Sequence, residues 1–245
     1  MLEEQIQELT SCYHINRKLA IKKFVELSHS QLSLIEDTDG EVIYSSKDTF
    51  KKGRYYFLGL NPGGTGKIKI RDHLDGFPTR TDNSFLDEEW NIETRNYPKG
   101  NNPLQLRVKY LFSEYLLNYV LQDVFATNLI FKTTPTSDSL NYGLAGLCWG
   151  VHLLALSIVQ PEIIITCGNS QDKSAFSFIS DLYAGKIECH KLAGTFCIKE
   201  TRIIIQNRPT LLIGLPHLSL FEIRNNEDCR KKLLEIVNKY DSDKK

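Results

Sequence analysis

The stretch LNYGLAGLCWGVHLLALSIVQPEIIIT, residues 140–166, joins a helical pattern directly to a strand pattern. Its large apolar residues recur every three or four positions, the spacing of one helix face, at Leu140, Leu144, Leu147, Val151, Leu154 and Ile158. Pro161 cannot continue that helix, and the apolar run EIIIT that follows it has the length of a buried strand. The stretch therefore predicts a long helix that leads at once into a strand of the core.

The same alternation of strand and helix patterns extends outward in both directions. Further strands are predicted at 41–44, 54–60, 123–131 and 210–214, with short β-like segments between residues 187 and 206. Further helices are predicted over about residues 1–30 and at 104–119, 172–180 and 225–240. Such alternation is typical of a three-layer α/β/α domain with a central, mostly parallel sheet, whose ligands bind beyond the carboxyl ends of the strands.

The length of 245 residues favours a single α/β domain that spans residues 1–245. Within it we predict an N-terminal helical segment over about residues 1–35. We also predict a long polar loop over about residues 62–103, where glycines and prolines are frequent and no periodicity is sustained. Loops of that length inside a compact domain tend to be functional.

Composition and charge exclude several classes of protein. Basic and acidic residues both number 30, so nucleic acid or another polyanion must be bound by a local patch. No apolar run approaches the roughly 20 residues of a membrane span, and the acidic start MLEEQIQELT does not resemble a signal peptide. We therefore expect a cytoplasmic monomer that binds no membrane.

The six cysteines are scattered, mostly in apolar segments, and show no C-x-x-C spacing. We expect them to be reduced thiols, mostly in the core. We expect neither an iron–sulfur cluster nor another metal, because no four-cysteine arrangement typical of such a cluster is present.

A second stretch, YYFLGLNPGGTGKIKI at residues 55–70, ends in a glycine-rich turn that raises the question of nucleotide binding. A Walker A loop aligned on Gly66 and Lys67 requires glycine at 61 and a hydroxyl at 68, where the chain has Asn61 and Ile68. A dinucleotide fingerprint fails as well, because Lys69 stands where the third glycine is needed. A nucleotide hydrolase is therefore disfavoured.

Three polar residues stand out at or near strand ends. Asn61 directly follows an apolar strand, Asn128 interrupts the apolar run VFATNLIF, and His217 lies in the loop GLPHLS after the last long strand pattern. Each has an ordinary structural alternative: a strand-end turn, an internally satisfied amide and a capped turn, respectively. A buried amide without partners costs about 1–3 kcal/mol, so Asn128 needs either protein partners or a ligand.

Taken in order, these segments resemble the uracil-DNA glycosylase superfamily, in particular its mismatch-specific and SMUG-type branches. FLGLNPGG resembles the first motif, G-[IM]-N-P-G, and ATNLIF resembles the central strand that carries a base-recognising asparagine. IIITCGNS resembles the family's strand, glycine and helix-start segment, and PHLS resembles the second motif, H-P-S. The matches cover about residues 54–222. Leu218 stands where the family has proline, and the loop at 62–103 has no counterpart.

The resemblance implies a monofunctional DNA glycosylase, which hydrolyses the bond between a flipped base and its deoxyribose, needs no cofactor and leaves an abasic site. Asn61 would position the attacking water, His217 would donate a hydrogen bond to the departing base, and Asn128 would recognise the base edge. Further substrate contacts are implied for Gly59, Pro62 and Gly63, with Phe77 or Phe85 as a stacking ring. Phosphate contacts are implied for Gly64, Lys67, Gly168, Ser170 and Ser219.

The resemblance leaves specificity and activity open in two places. The uracil-selective branch has a tyrosine after the motif's proline, but this chain has Gly63, so a base enlarged at C5 could enter. A modified pyrimidine of phage DNA, in single or double strands, would suit such a site and an antiviral role. Lys67, Lys69, Arg71 and Arg80 form either a basic DNA-binding patch or an ordinary solvated loop. The missing proline at Leu218 supports the alternative of an inactive glycosylase-fold module that binds nucleic acid or protein.

Overall fold

The computed structural model describes residues 2–64, 68–90, 95–113, 116–136, 139–192 and 194–244. These ranges contain eight α-helices: α1 (Leu2–Ile15), α2 (Arg17–Leu32), α3 (Ile70–Gly76), α4 (Ser84–Asp87), α5 (Pro103–Phe112), α6 (Leu144–Val159), α7 (Ala175–Leu182) and α8 (Glu227–Ser242). The same ranges contain six strands: β1 (Tyr55–Gly59), β2 (Phe125–Asn128), β3 (Ile163–Cys167), β4 (Glu188–Lys191), β5 (Cys197–Ile205) and β6 (Arg208–Leu215). Among these described helices, none is long and apolar enough to cross a membrane.

The α/β class is confirmed, with helices around a central six-stranded sheet as in a three-layer domain. Strand β1 pairs in parallel with β2, and β3 pairs in parallel with β6. Strands β5 and β4 continue from β6 in antiparallel pairing. Four of the six strands in the described part of the chain therefore make parallel pairs, which agrees with the predicted mostly parallel sheet.

The chain divides into two compact units, each built from two segments of sequence. The first unit comprises Met1–Asp82 and Val124–Pro161, and the second comprises Asn83–Asp123 and Glu162–Lys245. The single domain over 1–245 stays a prediction.

The first unit is organised around a cluster of aromatic rings beside β1 and β2. The side chain of Asn16 caps α2 by accepting from the backbone N–H of Lys18, and α2 then buries Phe24 against Phe50, with ring centroids 4.8 Å apart. The ring of Phe77 lies 5.9 Å from each of these rings, and Phe125 of β2 lies 6.1 Å from Phe50. Through Phe125, this buried cluster packs against β2 and so supports the pair of strands β1 and β2.

The second unit places two strand ends side by side. The register of the parallel pair β3 and β6 aligns Cys167 with Leu215, so the loops that follow these strands leave the sheet together. Helix α7 packs on this pair, where the ring of Phe176 lies over Gly214. A Cβ at Gly214 would lie 2.6 Å from that ring, so glycine is required for the close approach.

Two predictions about the first half of the chain are wrong in detail. The segment at 41–44 is not a strand but makes isolated bridges, such as Ile43 with Thr127. The Ser45 hydroxyl accepts from the N–H of Ala126, which a continued strand ladder would have used. The segment at 62–103 is not a structureless loop, because it contains α3, α4 and a 3₁₀ turn at Phe77–Thr79. Asn83 caps α4 by accepting from the N–H of Phe85, a local contact without long-range periodicity.

Two later elements are shorter than predicted. The helix predicted at 104–119 is α5, which ends at Phe112, and Ser113 leaves the helix with extended backbone angles. The strand predicted at 123–131 is β2, whose extended strand ends at Asn128, although single backbone hydrogen bonds from Leu129 and Ile130 continue beyond it. The helix and strand of the 140–166 stretch are confirmed as α6 and β3, and Gln160 ends α6 in the left-handed conformation just before Pro161.

Candidate functional site

In the first unit, polar side chains gather at the carboxyl ends of β1 and β2. We call Gly59, Asn61, Asn128 and Thr134 the asparagine cluster. Gly59 and Asn128 are paired in the register of β1 and β2. Beyond the two strands, the backbone N–H of Ile130 donates to the carbonyl oxygen of Leu60 at 2.9 Å, so the two chain segments stay side by side. Three of the residues implied by the resemblance, Gly59, Asn61 and Asn128, are thereby brought together.

The amide of Asn61 is held in one orientation. Its Nδ2 donates to the carbonyl oxygen of Pro62 at 2.8 Å and to Thr134 Oγ1 at 2.9 Å. A carbonyl oxygen only accepts, so the nitrogen must face Pro62 and the orientation of the amide is determined. The Thr134 hydroxyl in turn donates a hydrogen bond to the carbonyl oxygen of Thr136 at 3.0 Å. Oδ1 of Asn61 accepts from no residue in the described ranges and remains an open acceptor.

The Asn128 side chain lies close to Gly59. A Cβ built on Gly59 would lie 2.0 Å from Asn128 Oδ1, so a larger residue at 59 requires this amide to move. The Asn128 side chain is 8% exposed, and it makes no hydrogen bond with any described residue. In the described part of the chain the amide atoms of Asn128 are not among the fully buried polar atoms without a partner, so its donors and acceptor are accessible to water or to a ligand.

A buried pair of side chains supports the backbone that follows Asn128. Nε2 of His152 lies 3.1 Å from the carbonyl oxygen of Leu129, and Nδ1 lies 3.0 Å from the hydroxyl of Tyr56. Because the carbonyl can only accept, Nε2 carries the hydrogen and Nδ1 accepts from Tyr56. Desolvation lowers the pKa of His152 to about 4 and raises the pKa of Tyr56, so both groups are neutral at pH 7. This neutral chain holds the end of β2 without a buried charge.

The loop after Asn61 leaves space beside it. Pro62 is buried, while Gly63 and Gly64 are exposed, and a Cβ on either glycine would meet no atom of the described residues within 4 Å. Gly64 adopts a φ of +88°, which favours glycine for its backbone alone. Room for an enlarged base beside Gly63 stays a prediction. Lys67, an implied phosphate contact, lies outside the described residues.

In the second unit, the loop at residues 216–221, here called the histidine loop, fixes the tautomer of His217. Nδ1 of His217 lies 3.3 Å from the backbone N–H of Ser219 and 2.6 Å from its Oγ. A backbone N–H only donates, so Nδ1 accepts and the hydrogen resides on Nε2. His217 is exposed at the surface of the loop, and partial desolvation of its ring lowers its pKa, so the ring is mainly neutral at pH 7 and carries its hydrogen on Nε2.

The histidine loop is held rigid without the family's proline. Leu218 is fully buried, and its N–H lies 3.3 Å from Cys167 Sγ. Nη1 of Arg107, on α5, donates to the carbonyl oxygens of Leu218 at 2.6 Å and Ser219 at 2.7 Å. Nε of Arg107 donates to Glu222 at 3.2 Å, which neutralises the guanidinium. Arg107 therefore ties the loop to α5 at the position where the motif of the resemblance has proline.

Replacing Arg107 with methionine is expected to free the histidine loop, because hydrogen bonds from a charged donor each contribute about 1.5–3 kcal/mol. Amide hydrogen exchange at residues 217–221 should accelerate markedly, and mass spectrometry of peptic fragments measures it. Arg224→Met is the matched control, since Arg224 binds the same Glu222 but neither carbonyl. Equal exchange rates in the two variants would contradict the anchoring role of Arg107.

Two predicted stacking residues are core residues instead. Phe77 is 1% exposed within the aromatic cluster of the first unit. Phe85 is 6% exposed and packs in the second unit against Trp90, with ring centroids 5.3 Å apart. Neither ring has a free face for a base, because the hydrophobic effect places both inside. The stacking interpretation is therefore wrong for Phe77 and Phe85.

The turn at 168–170 does not open a helix, contrary to its interpretation as a helix-terminal phosphate site. Gly168, with a φ of +101°, donates its N–H to Leu215 O at 3.0 Å, and Ser170 Oγ donates to Lys173 O at 2.7 Å. Helix α7 begins only at Ala175, where the Ser174 side chain caps it. Gly168 instead lies beside the histidine loop, since a Cβ there would meet His217 Cδ2 at 3.4 Å.

Ser219, an implied phosphate contact, and two residues of the possible basic patch already bind other groups of the protein. The Ser219 hydroxyl binds His217. Lys69 pairs with Asp39 at 2.6 Å, and Arg71 pairs with Glu36 at 3.0 Å. These pairs favour the ordinary solvated loop over a dedicated basic patch, although exposed ion pairs are weak and a polyanion can displace them.

Comparisons with known proteins assign no family to the chain. No protein-family model matches it, and no curated protein matches it in sequence. Function must therefore be inferred from the asparagine cluster, the histidine loop and the motifs that contain them.

Proposed function

We propose that the chain is a monofunctional DNA glycosylase, which hydrolyses the N-glycosidic bond of a flipped uracil or modified base and leaves an abasic site. The observation that carries the proposal is Asn61, whose amide nitrogen is fixed by two protein acceptors while Oδ1 stays open. An oriented acceptor at a strand end suits a water molecule held for attack. Beside it, the unpartnered amide of Asn128 suits a base edge.

The proposed reaction uses Asn61 to orient water. As the glycosidic bond lengthens, the sugar gains oxocarbenium character and the base gains negative charge. Oδ1 of Asn61 accepts a hydrogen bond from the water and directs its lone pair at the anomeric carbon. A carboxamide does not take up the proton as a carboxylate would, so stabilisation of the departing base must supply more of the rate.

The proposal gives that second role to His217. Its neutral ring donates through Nε2–H, and this hydrogen bond strengthens as charge builds on the base oxygen. Asn128 would select the base, because its amide offers both a donor and an acceptor to the base edge.

We further propose that the substrate is a pyrimidine enlarged at C5, of the kind found in modified phage DNA, and that the protein acts in antiviral defence. The open space beside Gly63 supports this substrate class. The partner would be single- or double-stranded DNA. The protein would act as a cytoplasmic monomer.

The direct test is a screen of base-modified DNA. Single- and double-stranded oligonucleotides that contain uracil, a mismatch, hypoxanthine or a C5-modified cytosine are incubated with the protein, and alkali then cleaves at abasic sites. We expect cleavage of at least one substrate, strongest for a C5-modified pyrimidine. Absence of abasic product from every substrate would refute the glycosylase proposal.

The alternative is a glycosylase-fold module that binds nucleic acid or protein without catalysis. The engagement of Gly168, Ser170 and Ser219 within the protein favours it, because donors expected for phosphate contacts are already used. This alternative predicts salt-sensitive DNA binding in a filter assay with no abasic product.

A further inference from the structure

The hairpin of β4 and β5, in the second unit, carries three potential metal ligands on one face. Glu188 of β4 lies directly opposite Glu200 of β5, and His190 lies two residues beyond Glu188. Side chains alternate between the faces of a strand, so all three project from the same face. Their imidazole nitrogen and carboxylate oxygens all lie within 4.8 Å of one another.

The three groups are already partly assembled. Nε2 of His190 lies 2.7 Å from Glu200 Oε1, and the side chains of His190 and Glu200 are only 24% and 12% exposed. Glu188 is exposed at the open side of the group. Two of the potential ligands are therefore mostly covered by the protein, and the exposed third one leaves access for a small ion.

The charge of this face is unbalanced. Like charges directly opposite in an antiparallel pair are unfavourable, and Glu188 and Glu200 form such a pair. Lys199 projects from the opposite face, where its Nζ donates to Asn169 O at 2.9 Å. Arg202, on the same face, is bound by Asp243, and Glu235 of α8, which pairs with Lys232, also lies near His190. A cation bound between the two carboxylates would offset this repulsion.

We propose that Glu188, His190 and Glu200 bind one divalent cation of the zinc type. Zn²⁺ accepts imidazole nitrogen and carboxylate oxygen at about 2.0–2.2 Å and favours four ligands, so water would fill the fourth position. His190 binds as the neutral ring with its hydrogen on Nδ1, and the ion replaces the hydrogen bond to Glu200. The bound ion would cross-link β4 to β5 at the edge of the sheet. The proposal uses no residue of the asparagine cluster or the histidine loop.

The test is titration of the full chain with Zn²⁺ alone. The protein is treated with EDTA, dialysed and titrated by isothermal calorimetry, with a parallel thermal unfolding series. We expect one Zn²⁺ per chain and a higher melting temperature that rises with ion concentration, because the ion binds the folded hairpin. Mg²⁺ should bind far more weakly, since it retains its water and avoids imidazole. Absence of stoichiometric Zn²⁺ binding would overturn the proposal.

Variants locate the ion. His190→Gln is expected to weaken Zn²⁺ binding by more than the about 10- to 100-fold that loss of an outer-shell partner costs. Glu188→Gln gives a second test at an exposed position, should the first variant fold poorly. The control His14→Gln, on exposed α1, should bind as the wild type does. Cys189 and Cys197 lie close together on the opposite face of the hairpin and are the alternative ligands. Wild-type binding by His190→Gln, or loss of binding in a Cys189→Ser, Cys197→Ser double variant, would place the ion elsewhere and overturn the site.

Discussion

Alanine at Asn61 or at His217 is expected to slow base excision by about 100- to 1,000-fold, the cost of removing one preorganised donor or acceptor at a reacting centre. Asn61→Ala removes the open Oδ1 that would orient water. His217→Ala removes the Nε2–H whose position is fixed by Ser219. The single-turnover rate of abasic-site formation, with enzyme in excess over DNA, measures each loss without interference from product release.

Matched controls distinguish these roles from a nonspecific loss of folding or activity. Asn238→Ala replaces an exposed asparagine of α8, and His14→Ala replaces an exposed histidine of α1. Both should excise at the wild-type rate. Ser219→Ala should fall between the controls and His217→Ala, because the backbone N–H of residue 219 still holds Nδ1. Undiminished excision by both Asn61→Ala and His217→Ala would remove the assigned roles while leaving glycosylase activity itself in place.

Gly59→Ala is expected to destabilise the protein by about 1 kcal/mol, the low end of the usual cost of overpacking, because Gly59 is half-buried and the amide that it strikes is a side-chain end, and to abolish base selection. The added methyl group would lie 2.0 Å from Asn128 Oδ1, so the amide must leave its position. Urea denaturation measures the loss of stability. Gly63→Ala is the control, in the loop that follows β1, where the methyl group meets no described atom within 4 Å and stability should change by less than about 0.5 kcal/mol.

A double variant tests the cause of that loss. Asn128→Ala removes the amide that the new methyl group strikes, so Gly59→Ala combined with Asn128→Ala should be more stable than Gly59→Ala alone. Excision should not return, because the base-recognising amide is gone. A Gly59→Ala variant as stable as the wild type would contradict the close approach of Asn128 to the backbone.

The fold could be predicted where apolar runs and chain breakers act locally. The buried strand β1 and the pair α6 and β3 follow from apolar length and from Pro161. The prediction failed where side chains replace backbone partners. Ser45 takes the N–H of Ala126 and prevents a strand, and Asn83 caps α4 inside a segment without periodicity. Such contacts depend on tertiary position, which hydrophobic periodicity does not encode.

The candidate site could be predicted only in part. Asn61, Asn128 and His217 are visible because polar residues at strand ends interrupt apolar runs. Thr134 and Arg107 are not, because they contact residues 73 and 111 positions away. His152 carries a signal in the sequence, because an imidazole stands within the mostly apolar α6. The burial of Phe77 and Phe85 has none, because an aromatic residue in a polar segment is predicted to be exposed until its packing partners are known.

Because Arg107 anchors the histidine loop, the rigidity of the loop does not depend on the loop's own sequence, as it would with a proline. Proline stiffens a loop through its own ring, so rigidity and local sequence change together. Here stiffness is supplied from α5, by one guanidinium that binds two carbonyl oxygens. The loop residues can therefore vary to suit a new ligand while the helix preserves the aim of His217. The rigidity of the loop then comes from α5, and in the proposed enzyme the choice of base could change while His217 keeps its position.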